Sequence, residues 1–115
     1  MVDVSILRRA PEDRIRTVPM FGGDASVKVR YCGQDEMKRI RDVAAELVKQ
    51  GTTPEDAYNI AYGRVALLGW SGFVDGNLPF EFNQENIDLL MQGSTEVRTV
   101  VITASSSLKA GAEKN

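Results

Sequence analysis

The sequence predicts a mainly α protein of the α+β class, with a short N-terminal β-hairpin, about four helices and a single domain. Three observations support this fold class. An alternating run from Ser26 to Tyr31 follows the Gly22-Gly23-Asp24 turn and indicates a hairpin. Apolar residues then recur with helical period between cap and turn residues. Finally, a chain of 115 residues with 43% hydrophobic content can bury one modest core.

The domain limits follow from where the periodic pattern begins and ends. Residues 1–16 are predicted to form a flexible arm, disordered or adding a loose strand to its neighbour, because Arg8-Arg9 and the cluster from Pro11 to Arg14 interrupt any period. A nucleic-acid-binding arm is the alternative, although acidic residues in the same cluster dilute its positive charge. Residues 17–109 are predicted to form the globular domain, and residues 110–115 a polar tail.

The N-terminal hairpin is predicted over residues 17–31. The alternating run places its valines on one face and Lys28 and Arg30 on the other, which indicates a strand with one solvated side. Pro19 cannot donate a ladder hydrogen bond, so the first strand should lie at a sheet edge. No phosphate-loop spacing follows the two turn glycines, and we therefore interpret them as turn residues only.

Helices are predicted over residues 35–50, 54–69, 84–92 and 95–108. The apolar stripe of the first helix consists of Met37, Ile40, Ala44 and Leu47. Gly51 is expected to follow its C-terminus with positive φ. In the second helix, Thr53 is the expected N-cap and Pro54 the first helical residue. The largely apolar circumference of this second helix predicts a central position, packed on more than one side.

The last two helices are predicted from weaker signals. Asn83 should cap the third helix, Gly93 should stop it, and Ser94 should cap the fourth. Residues 96–104 are rich in β-branched side chains, which favours a strand as the alternative. A helical stripe is nevertheless present, formed by Val97, Val101, Ala104 and Leu108. We prefer the helix on the strength of this stripe and of the cap.

The segment from Leu67 to Phe82 contains the only tryptophan and three of the four phenylalanines. Aromatic side chains dominate small cores, so this segment is expected to lie where the flanking helices meet. Trp70–Val74 and Leu78–Phe82 should flank a turn at Asp75-Gly76-Asn77 as a short hairpin or Ω-like reversal. Trp70 is expected to be largely buried, and Gly76 to need positive φ. The predicted structural residues of this core and loop are Trp70, Gly72, Gly76, Pro79 and Phe80.

The composition argues against an enzyme. The chain has no histidine, and Cys32 is its only cysteine, which we interpret as a small apolar core residue. Nucleophile-elbow, calcium-loop and phosphate-loop spacings do not occur. We therefore predict no catalytic, cofactor-binding or metal-binding residue. No apolar run approaches the length of a membrane span, so we expect a cytoplasmic protein without a membrane partner.

Four short motifs occur in a defined order: Leu68-Gly69-Trp70-Ser71-Gly72, Val74-Asp75-Gly76, Leu78-Pro79-Phe80 and Asn83-Gln84-Glu85-Asn86-Ile87. With them, residues 18–105 resemble the small tail-assembly-chaperone-like proteins of long-tailed bacteriophages and prophages. The resemblance implies a non-enzymatic protein of the host cytoplasm. It would coat the hydrophobic helices of the tape-measure protein during tail building. The acidic, aromatic-ended C-terminus usual in that family is replaced here by Ser105-Ser106-Ser107 and a lysine-containing tail.

Partner binding is expected on a basic surface, because residues 1–50 hold ten Lys and Arg against eight Asp and Glu. The predicted protein-binding residues are Lys28, Arg30, Lys38 and Arg41. The expected partners are phage tail proteins, the tape-measure protein first, with self-association as a further expectation; nucleic acid is not the expected partner at a net charge of −2. Two alternatives stay open: a structural tail or tail-completion component that remains in the virion, and a small regulator that binds protein or nucleic acid.

Overall fold

Four helices pack around a three-stranded antiparallel sheet, and a separate two-stranded hairpin projects from the segment between sheet and third helix. The computed structural model describes residues 14–106. The elements are β1 Ile15–Met20, β2 Ala25–Arg30, α1 Gln34–Lys49, α2 Pro54–Ala66, β3 Leu67–Ser71, β4 Val74–Asp75, β5 Leu78–Pro79, α3 Gln84–Gly93 and α4 Thr95–Ser105. The predicted α+β class with an N-terminal hairpin and four helices is confirmed.

The predicted domain limits need one correction. The arm was expected to extend to residue 16, but β1 begins at Ile15, and the Tyr31 N–H donates to the Arg14 carbonyl oxygen at 2.7 Å. β1 is longer than the sequence pattern suggests, because its ladder with β2 extends back to the pair Ile15–Arg30. The remainder of the predicted arm, and the predicted tail at 110–115, lie outside the described residues.

The N-terminal hairpin forms as predicted, with Val18 opposite Val27 and Pro19 opposite Ser26. Gly22 and Gly23 have φ of 67° and 95°, values that glycine adopts without a steric cost. In the sheet order β1-β2-β3, the strand that contains Pro19 lies at an edge, as predicted.

Helix α1 lies over the core with the expected stripe. Ile40, Ala44 and Leu47 are buried, and Met37 is half-buried. At its start, the Gly33 N–H donates to the Glu36 carboxylate at 2.9 Å, so a side chain inside the first turn satisfies the backbone group that precedes the helix. Gly51 follows the helix with φ of 105°, which confirms the predicted C-terminal glycine.

Helix α2 is central, as its composition predicts, and it contacts α1, α3, α4 and β3. Its N-terminus carries the expected cap, since the Thr53 hydroxyl accepts a hydrogen bond from the Asp56 N–H at 3.4 Å and Pro54 begins the helix. Six of its residues are buried: Ala57, Ile60, Ala61, Gly63, Val65 and Ala66.

The predicted end of this helix, residue 69, is wrong. The helix ends at Ala66, and Leu67–Ser71 form β3, which pairs antiparallel with β2 and places Trp70 opposite Val27. The open edge of β2 explains the change, because its unpaired backbone groups gain partners only if residues 67–71 are extended. Trp70 and Ser71 therefore belong to β3, whereas the predicted short hairpin around Asp75-Gly76-Asn77 is formed by Val74–Asp75 and Leu78–Pro79.

Both C-terminal helices begin at the predicted caps. The Asn83 side chain accepts from the Asn86 N–H at 2.8 Å, and the Ser94 hydroxyl accepts from the Val97 N–H at 3.1 Å. Residues 95–105 are helical rather than extended, so the preferred interpretation is confirmed and the strand alternative is wrong. Gly93 is the last residue of α3, one position beyond the predicted end.

The core lies between the inner face of the sheet and the helices, with Val27, Val29, Ile40, Met91 and Val101 fully enclosed. One apolar cluster includes residues of β1, β2, β3 and all four helices. Within residues 14–106, none of the helices combines the length and the apolar character needed to cross a membrane.

Candidate protein-binding surface

Five aromatic side chains form a connected group that we call the aromatic cluster. Trp70 lies at its centre: the Phe80 ring stacks on the indole at 5.5 Å between centroids, while Phe73 and Phe82 meet it edge-on at 5.9 and 4.8 Å. Phe21, in the tight turn after β1, extends the cluster through an edge contact with Phe73 at 6.1 Å. The cluster thus joins the three-stranded sheet to the hairpin β4–β5.

Trp70 is less buried than expected. Its side chain lies on the inner face of the sheet beside Val27, yet it is half-buried and packs against the margin of the core. The indole N–H donates to the Phe80 carbonyl oxygen at 2.8 Å, which fixes the chain after the hairpin. Trp70 therefore supports an exposed segment rather than filling the centre of the core.

Two glycines shape this segment, and the positive φ predicted for Gly76 is observed. Gly76 has φ of 64°, and it is the first of the two residues that connect β4 to β5, the position glycine occupies in a type II′ turn. Gly72 has φ of 87°, and a Cβ there would overlap the Asp24 carbonyl oxygen. At this point the backbone after β3 passes directly against the turn that precedes β2.

The hairpin itself exposes large aliphatic side chains. Val74 and Leu78 are each 69% exposed, and Val74 pairs with Pro79 while Asp75 pairs with Leu78. Pro79 thus lies in a strand only two residues long, and its missing N–H is consistent with the short pairing. Neither aliphatic side chain belongs to the core, so packing within the domain does not explain why valine and leucine occur at these positions.

The pairing register separates the two aliphatic side chains. Cross-strand partners share a face and neighbours in a strand point to opposite faces, so Leu78 shares one face with Asp75 and Val74 shares the other with Pro79. The Phe80 N–H donates to the Phe73 carbonyl oxygen at 3.1 Å, which continues the ladder by one pair. We call the face formed by Phe73, Asp75, Leu78 and Phe80 the Leu78 face. It is continuous with the aromatic cluster.

The charged residues in this part of the sequence are all acidic. Residues 65–97 include five Asp or Glu and no Lys or Arg. Asp75, Glu81 and Glu85 are exposed, and we call these three the acidic rim. No ion pair within residues 14–106 involves any of them.

The four basic residues predicted to bind a partner lie on two elements. Lys28 and Arg30 share the outer face of β2, where Lys28 borders a shallow groove of about 270 Å³ over Gly69. Lys38 is exposed on α1 and pairs with Asp42 at 3.3 Å, while Arg41 is exposed on the same helix. The structure thus brings together Lys28 with Arg30 and Lys38 with Arg41, and a role of all four in binding stays a prediction.

Cys32 is 6% exposed, and its surroundings disfavour the thiolate. Burial, and then the nearby Glu36 carboxylate, raise the pKa of the Cys32 thiol to about 11. Within the described part of the chain, no group of three or more Cys, Asp or Glu side chains could hold a metal ion.

Sequence reasoning missed the exposed aliphatic residues of the hairpin. Val74 and Leu78 flank the predicted turn, where polar residues are usual, so an apolar residue on each side of Asp75-Gly76-Asn77 was the available signal. It also missed Gly63, the buried glycine at which α2 and α3 cross; a glycine inside an otherwise regular helical pattern was the signal there.

Comparison with known proteins adds no relative to this description. No protein-family model, curated protein or solved structure matches the chain.

Proposed function

We propose that this protein works by binding another protein without chemistry, as a tail-assembly-chaperone-like protein of a long-tailed phage. Its client would be a long helical tail protein, the tape-measure protein first, held in the host cytoplasm during tail building. The supporting observation is the hairpin, where Val74 and Leu78 are each 69% exposed beside the aromatic cluster. Contiguous exposed apolar surface marks protein interaction sites in folded proteins, and Leu78 continues the surface of the aromatic cluster on one face of the hairpin.

The construction of the hairpin fits this role. Its backbone is held by the Gly72 contact with the turn before β2, and the Trp70 indole holds the chain at Phe80. A partner therefore meets apolar side chains whose support is already ordered, so binding costs less conformational entropy. Aromatic anchors next to exposed aliphatic groups are the arrangement found at the energetic centres of interfaces.

The size of the surface predicts weak and reversible binding. Complete burial of a valine or leucine side chain contributes about 1.5–3 kcal/mol, so two side chains that are 69% exposed offer roughly 2–4 kcal/mol together. Association entropy opposes this gain. Weak contacts repeated by several copies along a long client would keep the client soluble and still permit release.

Co-expression with a tape-measure protein tests the proposal. Wild type should raise the fraction of tape-measure protein that stays in the supernatant after centrifugation. The double variant Val74→Ser/Leu78→Ser should lose this effect, because it removes the exposed aliphatic groups from both faces of the hairpin. Val48→Ser is the matched control, since Val48 is 42% exposed on α1, and it should behave as wild type.

Two results would contradict the proposal. If wild type does not solubilise the client, the chaperone role is wrong. If mass spectrometry finds the protein as a constituent of purified mature particles, the structural tail component replaces it. A third variant, in which Lys28, Lys38 and Arg41 are all replaced by glutamate, tests the basic surface. If this variant fails to solubilise the client while the hairpin variant still does, the interface lies on the basic surface instead.

A further inference from the structure

We infer that the Leu78 face binds a cationic amphipathic helix, one whose apolar stripe is flanked by lysine or arginine. This inference rests on the proposed function and specifies the chemistry of the client segment. Its basis is the combination of an exposed aliphatic side chain on the hairpin, supporting aromatic rings, and exposed carboxylates on the hairpin and on the chain that follows it.

The apolar part of the site is continuous. Leu78 is two residues from Phe80 on the same strand face and lies diagonally across the hairpin from Phe73. Both rings contact Trp70, and Phe82, which is 42% exposed, extends the apolar surface beyond the hairpin. A row of aliphatic side chains on a helix can cover such a strip, as in helix-in-groove recognition.

The carboxylates of the acidic rim have no lysine or arginine near them in the sequence, since residues 65–97 contain neither. Asp75 is the cross-strand partner of Leu78, Glu81 lies in the exposed chain that leads into α3, and Glu85 is exposed in the first turn of α3. The two arginines that border residues 65–97 are both engaged elsewhere. Arg64 binds Asp88 through two hydrogen bonds of 3.0 and 2.7 Å.

Arg98 is the second of these arginines, and it binds backbone carbonyl oxygens in the last turn of α3. Its guanidinium donates to the Met91 carbonyl oxygen at 2.9 Å and to the Thr95 hydroxyl at 3.0 Å. The acidic rim therefore presents carboxylates that form no ion pair among the described residues, next to an apolar strip. Lysine or arginine beside the apolar stripe of a partner would complement it, and an acidic helix or an anionic membrane surface would be repelled.

The opposite face of the hairpin supplies an internal control. Val74 has the same 69% exposure as Leu78, but its cross-strand partner is Pro79, whereas the cross-strand partner of Leu78 is the charged Asp75. If the partner required only exposed apolar area, substitution of Val74 and substitution of Leu78 would weaken binding equally. Recognition by the Leu78 face predicts that only Leu78→Ser weakens binding of the cationic helix.

The test uses full-length protein and three synthetic, tryptophan-free amphipathic peptides with the same leucine stripe and flanking Lys, Gln or Glu. Fluorescence anisotropy of labelled peptide gives affinity, and Trp70 emission reports contact with the cluster, since Trp70 is the only tryptophan. The Lys peptide should bind about tenfold or more tightly than the Glu peptide in about 50 mM salt, with a gap that shrinks in about 0.5 M salt.

Matched variants locate the site. Leu78→Ser should weaken the Lys peptide about tenfold, while Val74→Ser should stay within about twofold of wild type. Asp75→Asn/Glu81→Gln should reduce the preference for Lys over Glu, whereas Asp35→Asn/Glu55→Gln, with the same change in net charge at the first turns of α1 and α2, should preserve it.

Each other outcome overturns the inference in a distinguishable way. Equal binding of the three peptides would leave protein binding in place and remove the cationic partner. Failure of all three peptides, while wild type still solubilises the tape-measure protein, would show that the client is recognised by another surface. Concentration-dependent self-association that Leu78→Ser abolishes would make a second copy of this chain the occupant instead.

Discussion

Trp70 links the sheet to the exposed hairpin, so its removal should cost stability as well as binding. Trp70→Ala loses three ring contacts and the hydrogen bond to the Phe80 carbonyl oxygen. Because the side chain is half-buried, we expect a loss of roughly 2–4 kcal/mol in the free energy of unfolding, around the lower end of the range for core aromatic truncations. Urea denaturation measures it.

Two controls separate the contributions of Trp70. Trp70→Phe keeps a ring and loses the donor, so it should cost about 1–2 kcal/mol. Leu89→Ala removes an aliphatic side chain that is 60% exposed and should change stability by no more than about 0.5 kcal/mol. If Trp70→Ala unfolds at the same urea concentration as wild type, the indole does not hold the hairpin in place.

Gly72 and Gly76 both have positive φ, but they differ in what surrounds them. A Cβ at Gly76 meets nothing within 4 Å, so Gly76→Ala should cost only the conformational penalty of about 1 kcal/mol. At Gly72 the Cβ would also overlap the backbone at Asp24, and Gly72→Ala should cost roughly 2–4 kcal/mol. Equal melting temperatures of the two variants would contradict the close backbone approach.

Cys32 should be unreactive in the folded protein. Burial and Glu36 raise its pKa from 9.0 to about 11, so at about pH 8 the folded chain should contain about 100-fold less thiolate than the unfolded chain. The raised pKa also means that its contribution to stability is complete below about pH 9 and is lost as the pH rises towards 11. Similar iodoacetamide rates with and without denaturant would contradict this.

Residues whose role is local were predictable from the sequence. The Thr53, Asn83 and Ser94 caps and the positive φ of Gly76 depend on groups within three residues, and each is observed as predicted. The half-burial of Trp70 depends on how the chain after it folds back and packs Phe73, Phe80 and Phe82 against the indole, which neither propensity nor periodicity describes.

At the scale of elements, α2 and α3 are held together by a small residue and an ion pair. Gly63 lies directly under the Met91 side chain, where a Cβ would overlap Met91 Cγ and approach Ile87 Cγ2 to 3.0 Å. One helical position further on, Arg64 binds Asp88 across the same interface, with both side chains about three-quarters buried at 25% and 22% exposure. The close crossing thus needs glycine even though glycine weakens an isolated helix.

Gly63→Ala tests this crossing. Its gain in helix propensity, about 1 kcal/mol, should be exceeded by the cost of displacing Met91 and Ile87, leaving a net loss of roughly 1–2 kcal/mol. Gly93→Ala, at the end of α3 with nothing within 4 Å of the added Cβ, should be neutral or stabilising. A Gly63→Ala variant more stable than wild type would show that the helices can separate without loss. Thermal unfolding compares the two variants.

Two elements show how tertiary contacts change what local sequence favours. Leu67 and Leu68 continue the helical stripe of α2, yet they become β3 because β2 offers an open edge. The opposite happens in α4, where β-branched residues stay helical because Val97, Val101 and Ala104 bury one face. The stripe was visible in the sequence, whereas the open edge of β2 was not, since strand order is a property of the assembled sheet.

At the scale of the whole molecule, the exposed hairpin and the core are parts of one folded unit. A single apolar cluster includes residues of the sheet and all four helices, and Trp70 and Phe73 pack against it from the hairpin side. The expectation that the aromatic segment lies where the flanking helices meet is wrong, because its rings join the sheet to the hairpin, whereas α2 and α3 cross at Gly63. Which of its aliphatic side chains face solvent follows from the register Val74–Pro79 and Asp75–Leu78. The exposed pair is therefore a product of the complete fold.

This organisation predicts a single cooperative unfolding transition. Trp70 emission reports the aromatic cluster, and far-ultraviolet circular dichroism reports the helices, so one core shared by both should give coincident denaturation curves. The Val74→Ser/Leu78→Ser variant changes only exposed side chains. Its two denaturation curves should still coincide, and its free energy of unfolding should stay within about 0.5 kcal/mol of wild type. An earlier transition in tryptophan emission would mean that the hairpin opens independently. The hairpin would then lack the order on which the proposed binding depends. In that case the affinity for the cationic peptide should decrease on heating together with the tryptophan signal, before the helices unfold.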